Sequence, residues 1–227
     1  MVLAGSGGYD TREIVNSVLD LERAGAHGIL SVTPYYNKPT QEGLFQHYRA
    51  IADSTKLPII VYNVPGRTGC NVEPATLARL AEIPNIVGVK EASGNMGQIA
   101  DVCRVVPSEF LVLSGDDALA LPVMSIGGRG VISVASNEVP SEMVQMVEAA
   151  ERGDFATARR WHQALIPLMQ MNFVESNPIP VKFAMSAMGL CENSYRLPML
   201  APGPEAQQKI LSVLKAFGLP LGTEVRA

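Results

Sequence analysis

A chain of 227 residues, 47% hydrophobic and 18% charged, has the composition of a globular protein and the length of one large domain with an appendix. A formal net charge of −4, without runs of Lys or Arg, leaves no electrostatic footprint for nucleic acid, and apolar stretches such as LPIIVYNVP fall well short of a membrane span. Three scattered cysteines and the absence of a secretory-type start point to a reducing cytoplasm, and His27, His47 and His162 lack the spacing of metal ligands.

Short β-like runs alternate with amphipathic helical segments along the first part of the chain. MVLAG reads as a strand, and Asp10 with Glu13 resembles a capping box ahead of Ile14, Val15, Val18 and Leu19 on one helical face. GILSV is the second strand. Thr40 is placed to cap a helix whose Leu44, Phe45, Tyr48, Ile51 and Ala52 form a buried stripe. PIIVYN is the third strand, and Pro74 starts the helix that follows it. NIVGVK is the fourth, with a helix near 96 to 105; EFLVLSG is the fifth, with a helix from Asp116 to about Ser125; GVISV is the sixth. Beyond residue 138 only helices are predicted, near 140 to 151, 154 to 171, 179 to 189 and 204 to 217, with Pro167 expected to kink the second.

The strands are apolar at consecutive positions, as in parallel sheets covered on both faces, and the short strand–helix period argues for βαβ units. AGSGGYD lacks the G-x-G-x-x-G spacing of a dinucleotide fingerprint and reads as a loop. Six strands are two fewer than a closed (β/α)8 barrel requires. The division expected is a partial barrel over 1–138 and, over 139–227, the last barrel helix with a C-terminal helical domain.

Polar and aromatic residues gather directly after the strands, in TPYYNKPTQEG, YNVPGRTG, KEASGN and SGDD. In a parallel barrel all these positions share the C-terminal face, where barrel active sites are built. Lys90 ends an apolar strand; it either snorkels to water or serves as an amine whose pKa an apolar mouth and a nearby Arg67 depress, which is what a nucleophile needs. Tyr62 is either a core tyrosine or a proton carrier, and Arg67 either braces a loop or grips a substrate carboxylate. Tyr35 and Tyr36 read as packing aromatics, and Asp116 and Asp117 as helix caps.

TPYYNKPTQEG, YNVPGRTG, GVKEASGN, SGDD, GGRGVISV and SNPIPVK, in that order, resemble the dihydrodipicolinate synthase family of pyruvate-dependent class I lyases and aldolases. The resemblance implies a (β/α)8 TIM barrel with a helical appendix. It also implies condensation of pyruvate with aspartate semialdehyde in lysine (diaminopimelate) biosynthesis, without a cofactor, in a cytoplasmic homotetramer built as a dimer of dimers. It makes Lys90 the Schiff-base nucleophile and Tyr62 a proton relay. It makes Tyr36 a residue reaching a neighbouring subunit's site, Arg67 the holder of the second substrate's carboxylate, and Ile132 a wall of the pyruvate pocket. Arg67 favours this reaction over an aldolase or lyase of 2-oxo sugar acids; a non-catalytic relic is the third reading.

The same resemblance implies two further βα units ahead of MVLAG, with a Thr-Thr-Gly-Glu loop that grips the pyruvate carboxylate; the expectation is a fragment of a longer barrel or a barrel open on one side. Of the pocket through which lysine inhibits regulated relatives, Glu13 and Tyr35 match, while Tyr9 stands where the family has asparagine.

Overall fold

The computed structural model describes residues 1–222. The chain forms two compact units, the first spanning Met1–Ile132 and the second beginning at Ser133.

Six strands make one parallel sheet in the first unit: β1 (Leu3–Ser6), β2 (Gly28–Val32), β3 (Ile59–Asn63), β4 (Ile86–Glu91), β5 (Leu111–Ser114) and β6 (Gly130–Val131). Their spatial order is their sequence order, β1 to β6, and every neighbouring pair is parallel. A doubly wound sheet reverses its strand order at a switch point, whereas unbroken sequential order is the winding of a TIM barrel. The six strands are consecutive strands of that architecture.

The crossover helices begin where the sequence places start signals. Asp10 accepts a hydrogen bond from the Arg12 amide and opens α1 (Thr11–Arg23); Thr40 accepts one from Gly43 and opens α2 (Gln41–Ser54). A four-residue helix, α3 (Pro65–Thr68), follows β3, and α4 (Pro74–Leu80) starts at its proline. Asn95 caps α5 (Met96–Val105). The predicted helix from Asp116 is a 3-10 turn at Asp117–Leu119 leading into α6 (Ala120–Ser125), and Asp116 caps the turn by accepting from Ala118.

Ile29, Ile59, Val61, Ile86, Val89 and Val112 pack with Ile14, Val18, Leu44, Ile51, Leu77, Leu80, Ile99 and Val102 into the core between sheet and helices. Burial of these aliphatic side chains, each worth about 1.5–3 kcal/mol, is the main force holding the layers together. Leu30, Val32 and Tyr62 face the other side of the sheet and line a cavity.

β3 and β4 are not in continuous register. Ile59 pairs with Ile86, but Ile60 pairs with Gly88, so Val87 is an extra residue on β4. Hence Ile86 and Val89, three positions apart, both reach the helix-side core. A side chain at Gly88 would meet the Leu111 carbonyl oxygen at 2.5 Å, so the backbone approach beside the bulge requires glycine.

The second unit is helical among its described residues: α7 (Pro140–Glu151), α8 (Phe155–Met171), α9 (Ile179–Ala187) and α10 (Pro204–Phe217). α8 runs through Pro167, and Met143, Met146, Ala158, Leu165, Leu168, Phe183, Ile210 and Leu214 are buried. Among the described residues no helix is long and apolar enough to cross a membrane.

Candidate active site

β3 closes on Tyr62–Asn63 and β4 on Lys90–Glu91, and the register sets Tyr62 beside Lys90 and Asn63 beside Glu91. Side chains alternate along a strand, so the two pairs point to opposite faces. Tyr62 and Lys90 are half-buried on the cavity side, while Asn63 and Glu91 are buried on the helix side.

The Lys90 ammonium nitrogen lies 4.3 Å from the centre of the Tyr62 ring, within cation–π range. Burial lowers the Lys90 pKa below the ordinary lysine value; the nearby Arg67 pushes in the same direction, and the Asp117 carboxylate opposes both. Asp117 is 2% exposed. Burial raises the Tyr62 phenol pKa, with Arg67 opposing, so Tyr62 carries its proton across the neutral range. The site therefore joins an amine biased toward its neutral, nucleophilic form to a phenol able to donate a proton.

The Lys90 stem lies against Gly115. A methyl group there would meet Lys90 Cγ and Cε at 3.2 Å and Ala92 Cβ at 2.6 Å. Glycine just past the end of β5 thus makes room for the lysine.

Arg67 is presented by α3, which Pro65 starts and Gly69 ends in a left-handed conformation (φ 69°). The Thr68 hydroxyl accepts from the Cys70 amide at 3.2 Å and from the Thr33 hydroxyl at 3.1 Å, tying this turn to the end of β2. Arg67, Thr68, Tyr62, Val64, Leu30, Val32, Tyr35 and the Gly5–Gly7 end of β1 line a cavity of about 450 Å³. Its wall is mostly aliphatic and aromatic, with the guanidinium as its cation, a setting suited to a small carboxylate.

Tyr36 is 89% exposed and has φ 73°, a strained backbone for a non-glycine residue. Tyr35 meets Tyr9 edge to face, ring centres 5.8 Å apart. Ile132 is half-buried just past β6, and its amide donates to the Ser114 carbonyl at 2.9 Å. Asp116 is a cap as expected. Asp117 is instead buried and acts on Lys90, a role that reading both aspartates as caps does not include.

The dihydrodipicolinate synthetase family model matches residues 1–217. The chain is 50% identical over 220 residues to a 4-hydroxy-tetrahydrodipicolinate synthase of Chlorobium chlorochromatii, covering 96% of this chain and 74% of the relative. It is 50% identical over 218 residues to the same-named protein of Archaeoglobus fulgidus, covering 96% and 75%. Among solved structures, the dihydrodipicolinate synthase from Aquifex aeolicus superposes with a TM-score of 0.96 at 45% identity, over 98% of this chain and 76% of that one.

Proposed function

The chain belongs to the dihydrodipicolinate synthetase family, and from that premise we propose that it condenses pyruvate with L-aspartate 4-semialdehyde to give 4-hydroxy-tetrahydrodipicolinate, a step of lysine (diaminopimelate) biosynthesis. The observation that carries this reading is the pairing of Lys90 with Tyr62 at adjoining strand ends, 4.3 Å from amine to ring, with Arg67 beside both.

The neutral Lys90 amine attacks the ketone carbon of pyruvate. Tyr62 donates a proton as water leaves, and the imine forms. Loss of a methyl proton gives the enamine, whose carbon forms the new bond to the aldehyde carbon of the semialdehyde; the aldehyde oxygen takes up a proton and becomes the hydroxyl. The semialdehyde's own amine then attacks the imine carbon, closes the ring and releases Lys90. Arg67 holds the carboxylate of the second substrate with its planar fork. Ile132 walls the pyruvate pocket. In this reading the covalent chemistry rests on Lys90, without a cofactor.

Tyr36 completes the proton relay of a second copy in a homo-oligomer built as a dimer of dimers. Its 89% exposure and position outside its own chain's cavity support that role. In the same reading residues 1–138 are the barrel part and 139–227 the last barrel helix with the helical domain.

The test is incubation with pyruvate and borohydride, followed by peptide mass mapping. A carboxyethyl group on Lys90 is expected, and its absence overturns the assignment of the nucleophile. A coupled assay offering aspartate semialdehyde beside 2-oxo sugar acids then decides the partner; turnover with the sugar acids alone overturns the reaction named here.

A further inference from the structure

Directly behind the Tyr62–Lys90 pair lies a hydrogen-bonded chain with no part in the steps above. Glu91 is 1% exposed and Asn63 fully buried. A carboxylate in such a place needs donors. Glu91 Oε1 accepts the Ser93 amide at 2.7 Å, and Oε2 accepts Asn63 Nδ2 at 2.9 Å. The orientation of the Asn63 amide follows from chemistry: its Oδ1 accepts the main-chain N–H of Val72 at 3.0 Å, a group that can only donate, so Nδ2 must face Glu91. The same Nδ2 reaches Asn71 Oδ1 at 3.0 Å, and Asn71 exchanges two hydrogen bonds with Gln98, at 2.9 and 3.1 Å.

The bond from Val72 to Asn63 closes the base of the loop of residues 64–71, which carries Arg67. Glu91, which sets the amide making that closure, directly follows Lys90 in the chain. We propose that Glu91 and Asn63 are positioning residues that fix the loop presenting Arg67 against the strand end presenting Lys90. The inference rests on the reaction proposed above. Neither residue touches substrate; they set the distance between the group that binds the second substrate and the group that binds the first.

Donor and acceptor logic supplies the test. In E91Q, Oε1 must still face Ser93, so the new amide nitrogen meets Asn63 Nδ2, donor against donor. In N63D, two buried carboxylates face each other. In the double variant E91Q/N63D, the amide introduced at position 91 donates to the carboxylate introduced at position 63, whose other oxygen accepts the Val72 amide. Asn71 and Gln98 then turn their amides together, so every bond among the four side chains is remade with opposite polarity. Each single variant is expected to raise KM for aspartate semialdehyde about tenfold or more, while borohydride trapping of pyruvate on Lys90 changes by less than about threefold; the double returns KM to within about threefold of the parent. A double no better than the worse single overturns the proposal, as does equal loss of trapping and KM in the singles. If the parent chain gives no Lys90 adduct, the reaction itself fails, and the network is judged by hydrogen exchange of the Val72 amide. Exchange at least about tenfold faster in both singles and restored in the double supports it; equal protection in all four proteins overturns it.

Discussion

Lys90 and Tyr62 are register partners on neighbouring strands, and the lysine's ammonium nitrogen stands 4.3 Å over the tyrosine ring. The ring packs against the amine, and burial keeps the proton on the hydroxyl that the proposed reaction uses as its donor. These two contributions separate by substitution. Y62F keeps the ring and removes the proton, so turnover should fall by about 100-fold or more while the thermal midpoint stays close to the parent's. K90A should abolish the borohydride-trapped pyruvate adduct altogether. An unchanged rate in Y62F, measured by steady-state kinetics, removes the phenol from the mechanism.

The two charges acting on Lys90 predict opposite displacements of its titration. Arg67 lowers the lysine pKa and Asp117 raises it. The amine attacks only when neutral, so trapping accelerates as pH rises through its pKa. R67Q should move that rise to higher pH, and D117N should move it to lower pH. The measurement is the pH profile of the pyruvate-trapping rate, which does not require the second substrate. Displacement of both profiles in one direction contradicts the assignment.

Two glycines predict different failures. In G88A the new methyl meets the Leu111 carbonyl oxygen at 2.5 Å and Leu111 Cβ at 2.7 Å, so strand β4 must move; a loss of about 1–3 kcal/mol in denaturant unfolding is expected. In G115A the methyl meets Ala92 Cβ at 2.6 Å and presses on the Lys90 stem at 3.2 Å. Its signature should be slower trapping of pyruvate, out of proportion to any fall in thermal midpoint.

His47 predicts an acid limit to stability. It is 5% exposed, bonded to the Thr11 hydroxyl at 2.8 Å and set edge-on to Tyr48, and burial lowers its pKa to about 4 from 6.5. The folded state therefore holds a neutral imidazole, while the unfolded chain takes up a proton below about pH 6.5. This contribution is complete above the unfolded pKa and is lost as pH falls from about 6.5 toward 4, by on the order of 3 kcal/mol. Denaturant midpoints across that window should fall steeply in the parent and less steeply in H47Q.

Elements and the cavity-side residues are legible in the sequence because their signals are local. Each strand is an apolar run, each major helix start carries a cap or proline, and Lys90, Tyr62 and Arg67 stand out as polar groups where apolar runs stop. α3 escapes because four residues carry no periodicity, and GVISV yields only the two-residue strand Gly130–Val131, although the Ile132 amide continues the ladder to Ser114. The Glu91–Asn63–Asn71–Gln98 chain is invisible for another reason. Its members lie in two separate stretches of sequence, 63–71 and 91–98, and an amide or carboxylate where an apolar run stops reads as solvated until folding closes water out.

The extra residue in β4 turns the identity of the reactive group into a matter of parity. Between the Ile86 anchor and the strand end, β4 holds one residue more than β3 does, and the bulge takes up the difference, so that the lysine and not its neighbour falls opposite Tyr62. Were Val87 drawn into a continuous ladder instead, Lys90 would stand opposite Asn63, in the dry layer beneath the helices. The sheet face that carries Tyr62 would lose its amine although no side chain with chemistry had been changed. The bulge thus works as slack in the strand: a single-codon deletion at 87 would straighten the ladder and leave the amine in phase, whereas the same deletion at Val61 would leave β3 short and throw the amine out of it.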